Sequence, residues 1–196
     1  MNFSAACVII IYGEVIIRGK SEYDYIKNII RRNYFMCGIV GYIGQRDCTD
    51  VLMQGLEKLE YRGYDSAGIA VFEKTGIKTV KTKGKLADMR HKLDIEGSPV
   101  GHCGIGHTRW ATHGEPSDIN SHPHTNGRVT IVHNGIIENY IELKESLTEK
   151  GYTFTSQTDT EVVACLLDYY YSERNPLRAI TETVSYTHLR AHETKA

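Results

Sequence analysis

A cysteine stands directly after a methionine in the apolar run Met36–Gly41, and its position suggests nucleophilic chemistry. If Met36 is the true first residue, its removal leaves Cys37 with a thiol and a free α-amino group. The reference pKa of an α-amino group is about 8, so near neutral pH part of the amine is unprotonated and can take the thiol proton. Nucleophile and base then belong to one residue. The alternative is an ordinary buried cysteine in a strand, which composition alone favours because free cysteine usually behaves as a small hydrophobe.

A second group of polar side chains spans Gly106–Gly114, at the end of a predicted strand. It combines the guanidinium of Arg109 with Trp110, the only tryptophan of the chain, and with Thr112 and His113. The planar guanidinium of arginine meets a carboxylate in two parallel hydrogen bonds, so this stretch is suited to hold an anionic group. The alternative is a salt bridge at the strand end.

Asn134 and Gly135 follow another predicted strand. Asn-Gly after a strand is the strongest short signal for a hairpin, so a type I′ turn is one interpretation. The residues that follow have a helical pattern and not that of a return strand, which favours a second interpretation. The Asn134 amide and a neighbouring backbone N–H at Gly135 would then form an oxyanion hole.

Three further features have both a structural and a functional interpretation. Thr158–Glu161 has the pattern of a capping box for the following helix, within which Asp159 can still point outward and bind an ammonium group. Tyr61–Gly68, which contains Arg62, is interpreted as a tight turn with a surface ion pair. The histidines at positions 102, 107, 113, 122, 124 and 133 match no recognised zinc-ligand motif, so no metal is predicted.

Composition narrows the class of protein. The chain has 196 residues, enough for one domain with a substantial core. A net charge of −1 gives no overall field for nucleic acid or an anionic membrane, so neither is an expected partner. The five cysteines include no C-x-x-C pair, which argues against a disulfide framework and for a reducing compartment. The longest apolar run, Ala5–Tyr12, is too short to span a bilayer and follows no basic stretch, so we expect a soluble cytoplasmic protein.

From Cys37 onward, strands and helices are predicted in mixed order, which favours a layered α+β fold over regular βαβ units. A helix capped by Thr49 should run to about Leu59, and Lys74–Gly76 should turn a hairpin. An amphipathic helix over Ile137–Lys150 should end at Gly151. The other predicted strands are Gly38–Ile43, Ala67–Phe72, Ile77–Lys83, Val100–Thr108 and Val129–His133, and the other predicted helices are Leu86–Leu93 and Glu161–Tyr171.

The two ends of the chain differ in pattern from the rest. Residues 1–35 show no sustained periodicity and are interpreted as a removable pro-segment or as upstream sequence translated from a start assigned too early. Arg31 and Arg32 point to the second interpretation, because the codons AGGAGG would also form a bacterial ribosome-binding sequence. Residues 184–196 resemble the translation of a sequencing adapter, so we expect them to lie outside the native domain.

Taken together, the motifs resemble in order and spacing the class II glutamine amidotransferases, and among them the glutaminase domain of the glutamine–fructose-6-phosphate aminotransferases (isomerizing), or glucosamine-6-phosphate synthases. The resemblance covers residues 36–183 and implies the N-terminal-nucleophile hydrolase fold, a four-layer α/β/β/α sandwich. It is less close to the related amidophosphoribosyltransferases. The stretches that carry it are Met36–Gly41, Tyr61–Gly68, His107–Gly114, Ser121–His124, His133–Asn139 and Asp159–Glu161.

The resemblance implies a reaction in which Cys37 attacks the side-chain amide of L-glutamine, helped by its own α-amine. The Asn134 side chain and the Gly135 N–H would stabilise the oxyanion. Ammonia leaves, and water hydrolyses the glutamyl thioester. The resemblance gives Arg62 a supporting role behind the residues that touch the substrate, and it implies no cofactor.

The resemblance also assigns glutamine binding to a second set of residues. Arg109, with Thr112 and His113, would hold the α-carboxylate of glutamine. Asp159 would hold its α-ammonium group. Trp110 would belong to a loop that closes over the substrate and gates the passage of ammonia.

Two departures from the family pattern limit what this chain is expected to do alone. The family continues into two sugar isomerase domains that bind fructose 6-phosphate and consume the ammonia, and no such sequence is present. The glutaminase domain itself is expected to be truncated before its last strands. The leading hypothesis is a glutaminase fragment of a homo-oligomeric parent enzyme. The alternatives are an inactive fragment and the glutaminase domain of another class II amidotransferase.

Overall fold

The computed structural model describes residues 16–17, 37–111, 114–173 and 175–191. The strands are β1 (Ile16–Ile17), β2 (Gly38–Ile43), β3 (Ser66–Glu73), β4 (Gly76–Lys83), β5 (Cys103–Arg109), β6 (His124–Asn126), β7 (Val129–Ile131), β8 (Gly135–Ile137) and β9 (Leu189–Ala191). The helices are α1 (Cys48–Glu57), α2 (Leu86–Glu96), α3 (Tyr140–Glu149), α4 (Asp159–Glu173) and α5 (Pro176–Tyr186), with a 3₁₀ turn over Glu60–Arg62. No helix in these ranges is long and apolar enough to cross a membrane.

A five-stranded sheet forms the centre of the fold, in the order β1-β2-β5-β3-β4. β5 lies antiparallel between β2 and β3, and β3 pairs with β4 through the predicted hairpin at Lys74–Gly76. The register places Gly38, at the start of β2, opposite Thr108 near the end of β5. It also places Arg109 opposite Ser66 at the start of β3. One end of the sheet therefore gathers three strand ends that are far apart in the sequence.

The helices α1 and α2 cover one face of this sheet. Alternate residues of the strands point to that face and meet the apolar side of each helix. The buried side chains of this first cluster include Val40, Tyr42, Leu52, Met53, Leu56, Ile69, Val71, Leu86 and Met89.

The start of α1 differs from the prediction. Asp47, not Thr49, caps the helix, and its carboxylate accepts a hydrogen bond from the backbone N–H of Thr49 at 3.0 Å. The Thr49 hydroxyl is engaged elsewhere, because it donates to the carbonyl oxygen of Pro99 at 2.5 Å. The predicted cap was therefore wrong by two residues, owing to a contact with a distant part of the chain.

A second β layer lies against the other face of the central sheet. In it, β6 pairs with β7 and β8 pairs with β9, both antiparallel. Between the two layers, Ile39, Ala70 and Ile105 meet Val132, which directly follows β7. The outer face is covered by α4 and α5 through a cluster of Val129, Ile131, Ile137, Val163, Ala164, Leu167 and Ala179. The order helix, sheet, sheet, helix confirms the predicted α+β sandwich.

The helix predicted over Ile137–Lys150 begins later than expected. Gly135–Ile137 forms β8, and α3 runs from Tyr140 to Glu149. The backbone N–H of Ile137 donates to the Asp159 carboxylate at 2.8 Å, which ties β8 to the start of α4. The end of the helix is as predicted, since Gly151 adopts a φ of +89°, which glycine tolerates best.

Part of the segment that was expected to lie outside the domain has a place in this fold. Residues 184–186 complete α5, and β9 pairs with β8 with Gly135 opposite Ala191. Residues 192–196, and residues 1–36 other than Ile16–Ile17, lie outside the described residues.

Candidate active site

Cys37 directly precedes β2, at the end of the sheet where β2, β3 and β5 meet. The backbone N–H of Gly38 donates to the Thr108 hydroxyl at 3.1 Å. A Cβ at Gly38 would lie 2.7 Å from that same hydroxyl oxygen, so only glycine allows the approach. The Cys37 sulfur accepts a hydrogen bond from the backbone N–H of Trp110 at 3.1 Å. The predicted nucleophile is thus fixed to the end of β5 by two contacts, one through the backbone of Gly38 and one through its own sulfur.

The Asn134 side chain reaches the backbone of Cys37. Its Nδ2 donates to the Cys37 carbonyl oxygen at 2.9 Å, and its Oδ1 lies 2.7 Å from Nε2 of His107. A primary amide carries two N–H groups, so one is engaged by Cys37 and the second is available for an oxyanion. Gly135 does not turn a hairpin, because it begins β8, which pairs with β9 and not with β7.

Arg109 is the last residue of β5 and is buried. Its Nη2 donates to the carbonyl oxygen of Gly114 at 3.2 Å, which closes the loop that contains Trp110. Burial lowers the pKa of Arg109, while the charges of Asp65, of Asp159 and of Cys37 in its thiolate form act to raise it. A buried guanidinium at the end of β5 can bind an anionic group in two parallel hydrogen bonds, near the predicted nucleophile.

Asp159 is the first residue of α4 and is also buried. Its Oδ2 accepts the hydrogen bond from the N–H of Ile137 at 2.8 Å, and its Oδ1 accepts one from the Thr160 hydroxyl at 3.3 Å. The carboxylate therefore faces β8 and the interior. A helix N-terminus favours a negative charge at this position.

The capping box predicted at Thr158–Glu161 forms only in part. The backbone N–H of Glu161 donates to the Thr158 hydroxyl at 3.4 Å. The Glu161 carboxylate instead accepts four hydrogen bonds, at 2.7 to 2.9 Å, from the backbone N–H and hydroxyl groups of Thr155 and Ser156. Burial acts to raise the pKa of Glu161, but these bonds bring it below its ordinary value.

The remaining predicted site residues have different placements. Trp110 is 45% exposed, although its backbone N–H contacts the Cys37 sulfur. Arg62 is buried in the 3₁₀ turn, where its Nε donates to the Tyr61 hydroxyl oxygen at 3.3 Å. Thr112 and His113 lie outside the described residues. The predicted residues that the structure brings together are Cys37, Arg109, Trp110, Asn134, Gly135 and Asp159.

Burial raises the pKa of the Cys37 thiol above its ordinary value. The Trp110 N–H and the charge of Arg109 act to lower this pKa, and the carboxylate of Asp65 acts to raise it. The balance leaves the thiol protonated near neutral pH. A nucleophilic role for Cys37 would therefore require a base.

Asp65 belongs to this site but was not predicted from the sequence. Its carboxylate accepts a hydrogen bond from the N–H of Ala111 at 2.6 Å, and its own N–H donates to the carbonyl oxygen of Arg109 at 2.8 Å. The stretch Tyr61–Gly68 was recognised as a motif, but only the pairing of β3 with β5 brings Asp65 to the end of β5.

Three buried histidines lie behind Asn134. The rings of His107 and His122 stack with their centroids 4.4 Å apart, and His122 meets His124 edge to face at 4.8 Å. Burial lowers the pKa of all three, that of His107 to about 4, so their rings are neutral at neutral pH. Within the described part of the chain, no group of three His, Cys, Asp or Glu side chains is arranged to hold a metal ion.

Comparisons with known proteins identify the family. A sequence model of the family described as glutamine amidotransferase domain matches residues 78–173. Glutamine–fructose-6-phosphate aminotransferase (isomerizing) of Clostridium tetani is 59% identical to the chain over 152 residues. This chain carries a glutamine amidotransferase domain. The amidotransferase domain is homologous to the glutaminase half of that aminotransferase.

The chain covers only part of these relatives. The Clostridium tetani match spans 76% of this chain and 25% of the relative. The aminotransferase of the same name from Clostridium perfringens is 64% identical over 138 residues, which are 69% of this chain and 22% of the relative. The amidotransferase chain thus spans about a quarter or less of the length of these two curated relatives.

The amidotransferase domain is similar in fold to a solved enzyme, the glutamine phosphoribosylpyrophosphate amidotransferase from B. subtilis complexed with ADP and GMP. The TM-score is 0.65 at 24% sequence identity, over 77% of this chain and 33% of that one. At this identity the likeness concerns the fold alone. It confirms the predicted sandwich of the N-terminal-nucleophile hydrolase type.

Proposed function

We propose that this amidotransferase domain hydrolyses L-glutamine, with Cys37 as the nucleophile, in a form of the protein that begins at Cys37. The proposal rests above all on the 2.9 Å hydrogen bond from Asn134 Nδ2 to the Cys37 carbonyl oxygen. This bond holds an amide donor beside the nucleophile, where a tetrahedral intermediate would form.

The base in this mechanism is the α-amine of Cys37. Because burial raises the pKa of the thiol, a proton acceptor is needed to form the thiolate near neutral pH. A free α-amine has a reference pKa of about 8 and can serve. In the 196-residue chain the same nitrogen belongs to a peptide bond and is not basic. The mechanism therefore requires a chain without residues 1–36.

The reaction proceeds through a covalent intermediate. The Cys37 sulfur attacks the side-chain carbonyl carbon of glutamine while the α-amine takes the thiol proton. The second N–H of the Asn134 amide and the N–H of Gly135 stabilise the resulting oxyanion. The C–N bond then breaks, and ammonia leaves with the proton returned by the α-ammonium. Water, deprotonated by the same amine, hydrolyses the γ-glutamyl thioester to glutamate.

Charged groups around Cys37 suit the two ends of an amino acid. The buried guanidinium of Arg109, with Thr112 and His113, binds the α-carboxylate of glutamine. Asp159 binds the α-ammonium, because a carboxylate has acceptor sites beyond those that Ile137 and Thr160 use. The exposed Trp110 closes the loop over the substrate and excludes water.

The activity for which the relatives are named suggests where the ammonia goes. In a complete enzyme, sugar isomerase domains outside this chain would bind fructose 6-phosphate and convert it with this ammonia to glucosamine 6-phosphate. We place that enzyme in the cytoplasm as a homo-oligomer. Hydrolysis at Cys37 requires no cofactor, and Arg62 supports the site from the 3₁₀ turn.

The test compares the intact 196-residue chain with a form from which residues 1–36 have been removed. Mass spectrometry verifies the first residue of each, and glutamate release from glutamine is measured. We expect release only from the form that begins at Cys37, and none after Cys37→Ala in that form. Glutamate release by the intact chain, or by the Cys37→Ala variant, would contradict the proposal.

A further inference from the structure

His107 connects Asn134 to the interior of the domain. It lies in β5, two residues before Arg109, and its Nε2 is 2.7 Å from Oδ1 of Asn134. The same amide donates through Nδ2 to the Cys37 carbonyl oxygen at 2.9 Å. His107, Asn134 and Cys37 thus form one hydrogen-bonded series from the interior to the proposed nucleophile.

The direction of each bond in this series follows from the chemistry of its groups. A backbone carbonyl oxygen only accepts, so the nitrogen of the Asn134 amide must face Cys37. The amide oxygen then faces His107, and it also only accepts. Nε2 of His107 must therefore carry the proton, which selects one of the two tautomers of a neutral imidazole.

The surroundings of His107 hold the ring in place. The residue is 1% exposed, and the His122 ring stacks on it at 4.4 Å with an angle of 20° between the planes. Burial lowers the pKa of His107 to about 4, so the ring carries a single N–H proton at neutral pH. That one proton is directed to the Asn134 amide oxygen, and the backbone carbonyl of His133 is a further acceptor near the ring.

We propose that His107 is a positioning residue for glutamine hydrolysis. Its Nε2–H holds the oxygen of the Asn134 amide, so that both amide N–H groups are directed to the Cys37 side. Without this donor, rotation of the amide by half a turn would place its oxygen where the oxyanion forms. This inference rests on the proposed glutaminase function, because the orientation matters only if an oxyanion forms beside Cys37.

The first test uses the intact 196-residue chain and needs no activity. Two-bond 15N–1H NMR correlations of histidine rings distinguish the Nε2–H tautomer from the Nδ1–H tautomer and from the cation. The signals of His107 are assigned by their absence from the His107→Gln variant. We expect the Nε2–H tautomer at neutral pH. The Nδ1–H tautomer or a cationic ring would overturn the inference.

The second test compares two amide side chains at the same position. The nitrogen of a glutamine amide takes nearly the place of Nε2 in histidine, whereas that of asparagine corresponds to Nδ1 and falls short of Asn134. In the form that begins at Cys37, we expect His107→Gln to keep most of the kcat. His107→Asn should lose up to about 10²-fold in kcat, at the lower end of the loss for deleting an oxyanion donor. The KM for glutamine should change little in either variant.

A purely structural role for His107 predicts another pattern. Equal losses of kcat in both variants, or a loss expressed mainly in KM, would overturn the inference. Thermal unfolding midpoints of both variants are measured alongside. If His107→Asn does not fold, the NMR measurement of the His107 tautomer in the intact chain still tests the positioning role.

The two proposals fail in different ways. If the form that begins at Cys37 releases no glutamate, the proposed function fails, and the NMR measurement still decides how His107 holds Asn134. If that form is active and His107 carries its proton on Nδ1, only the positioning role fails.

Discussion

The carboxylate of Asp65 accepts a hydrogen bond from the backbone N–H of Ala111, with Oδ2 and nitrogen 2.6 Å apart. The N–H of Asp65 also donates to the carbonyl oxygen of Arg109 at 2.8 Å, so Asp65 binds the chain on both sides of Trp110. The N–H of Trp110, between these contacts, donates to the Cys37 sulfur. Asp65 therefore holds the loop at the proposed nucleophile and adds a negative charge near it.

Replacing Asp65 with asparagine should lower the pKa of the Cys37 thiol. Burial is the main cause that raises this pKa, and the Asp65 charge adds to it. Asparagine removes the charge but keeps an oxygen that accepts from Ala111. The alkylation rate of Cys37 against pH, followed by peptide mass spectrometry, measures the shift. Asp94→Asn, on the exposed side of α2, is the control. A thiol pKa that stays the same or rises in Asp65→Asn would contradict this electrostatic role.

Replacing Asn134 with aspartate should remove glutamine hydrolysis. The carboxylate would have no N–H for the oxyanion and would face the Cys37 carbonyl oxygen with a negative charge. We expect kcat to fall by about 10²–10³-fold in the form that begins at Cys37. The control for an intact nucleophile is the alkylation rate of Cys37 at its high-pH plateau, where a change in the thiol pKa no longer affects it. A kcat within tenfold of the original would exclude Asn134 as an oxyanion donor.

Glu161→Gln should destabilise the fold by about 1–3 kcal/mol at neutral pH, because glutamine brings an N–H group among four donors. The pKa of Glu161 is lowered from 4.5 in the folded protein, so its stabilisation is complete above pH 4.5 and is lost as the pH falls below it. The difference in unfolding free energy between the original protein and Glu161→Gln, measured by urea denaturation, should therefore shrink as the pH falls below 4.5. Exposed Glu142→Gln is the control. If this difference in unfolding free energy grows toward acid pH, the ionised Glu161 carboxylate is not what stabilises the fold.

Lys81 should make stability depend on pH in the alkaline range. Its Nζ donates to the carbonyl oxygens of Ile119 and Pro123, and burial lowers its pKa from 10.5 to about 8. Between these two values the unfolded chain binds more protons, so the contribution of Lys81 to the free energy of unfolding rises with pH. The original protein should gain stability relative to Lys81→Met across this window in urea titrations. The exposed-site variant Lys74→Met is the control and should show no such trend. If the unfolding free energy of the original protein relative to Lys81→Met stays flat or falls across this window, the lowered pKa of Lys81 is refuted.

Two leucines test the assignment of the core. Leu52 in α1 is fully buried in the first apolar cluster, whereas Leu177 in α5 is 79% exposed. Leu52→Ala should cost about 2–5 kcal/mol of unfolding free energy. Leu177→Ala should stay within about 0.5 kcal/mol. Both values come from chemical denaturation, and similar losses in the two variants would show that α1 is packed differently.

Local pattern was sufficient for much of the fold. Gly38–Ile43 forms a strand with the predicted bounds, and Lys74–Gly76 turns the predicted hairpin, because alternating side chains and turn residues act over a few positions. The errors fall where a distant group intervenes. The Thr49 hydroxyl is taken by Pro99, and the N–H of Ile137 is taken by Asp159. No local pattern contains either contact.

In the candidate site, too, some residues could be identified from local sequence and others only from distant contacts. The residue types of Cys37, Asn134 and Arg109 pointed to a nucleophile, an oxyanion donor and an anion clamp before any geometry was known. Asp65 and His107 gave no such signal, because an aspartate in a turn and a histidine in a strand are ordinary on their own. Their contacts with Ala111 and Asn134 depend on strand register.

Residue types and local patterns were enough to identify the chemical groups, the local elements and, through the motifs, the family. Which of these groups meet depends on how the chain folds. Gly38 contacts Thr108 across 70 positions, and Asn134 contacts Cys37 across 97. Such contacts form because antiparallel pairing and the burial of two apolar sheet faces bring distant strand ends together, and a hydrogen bond then selects the partner within about 3 Å.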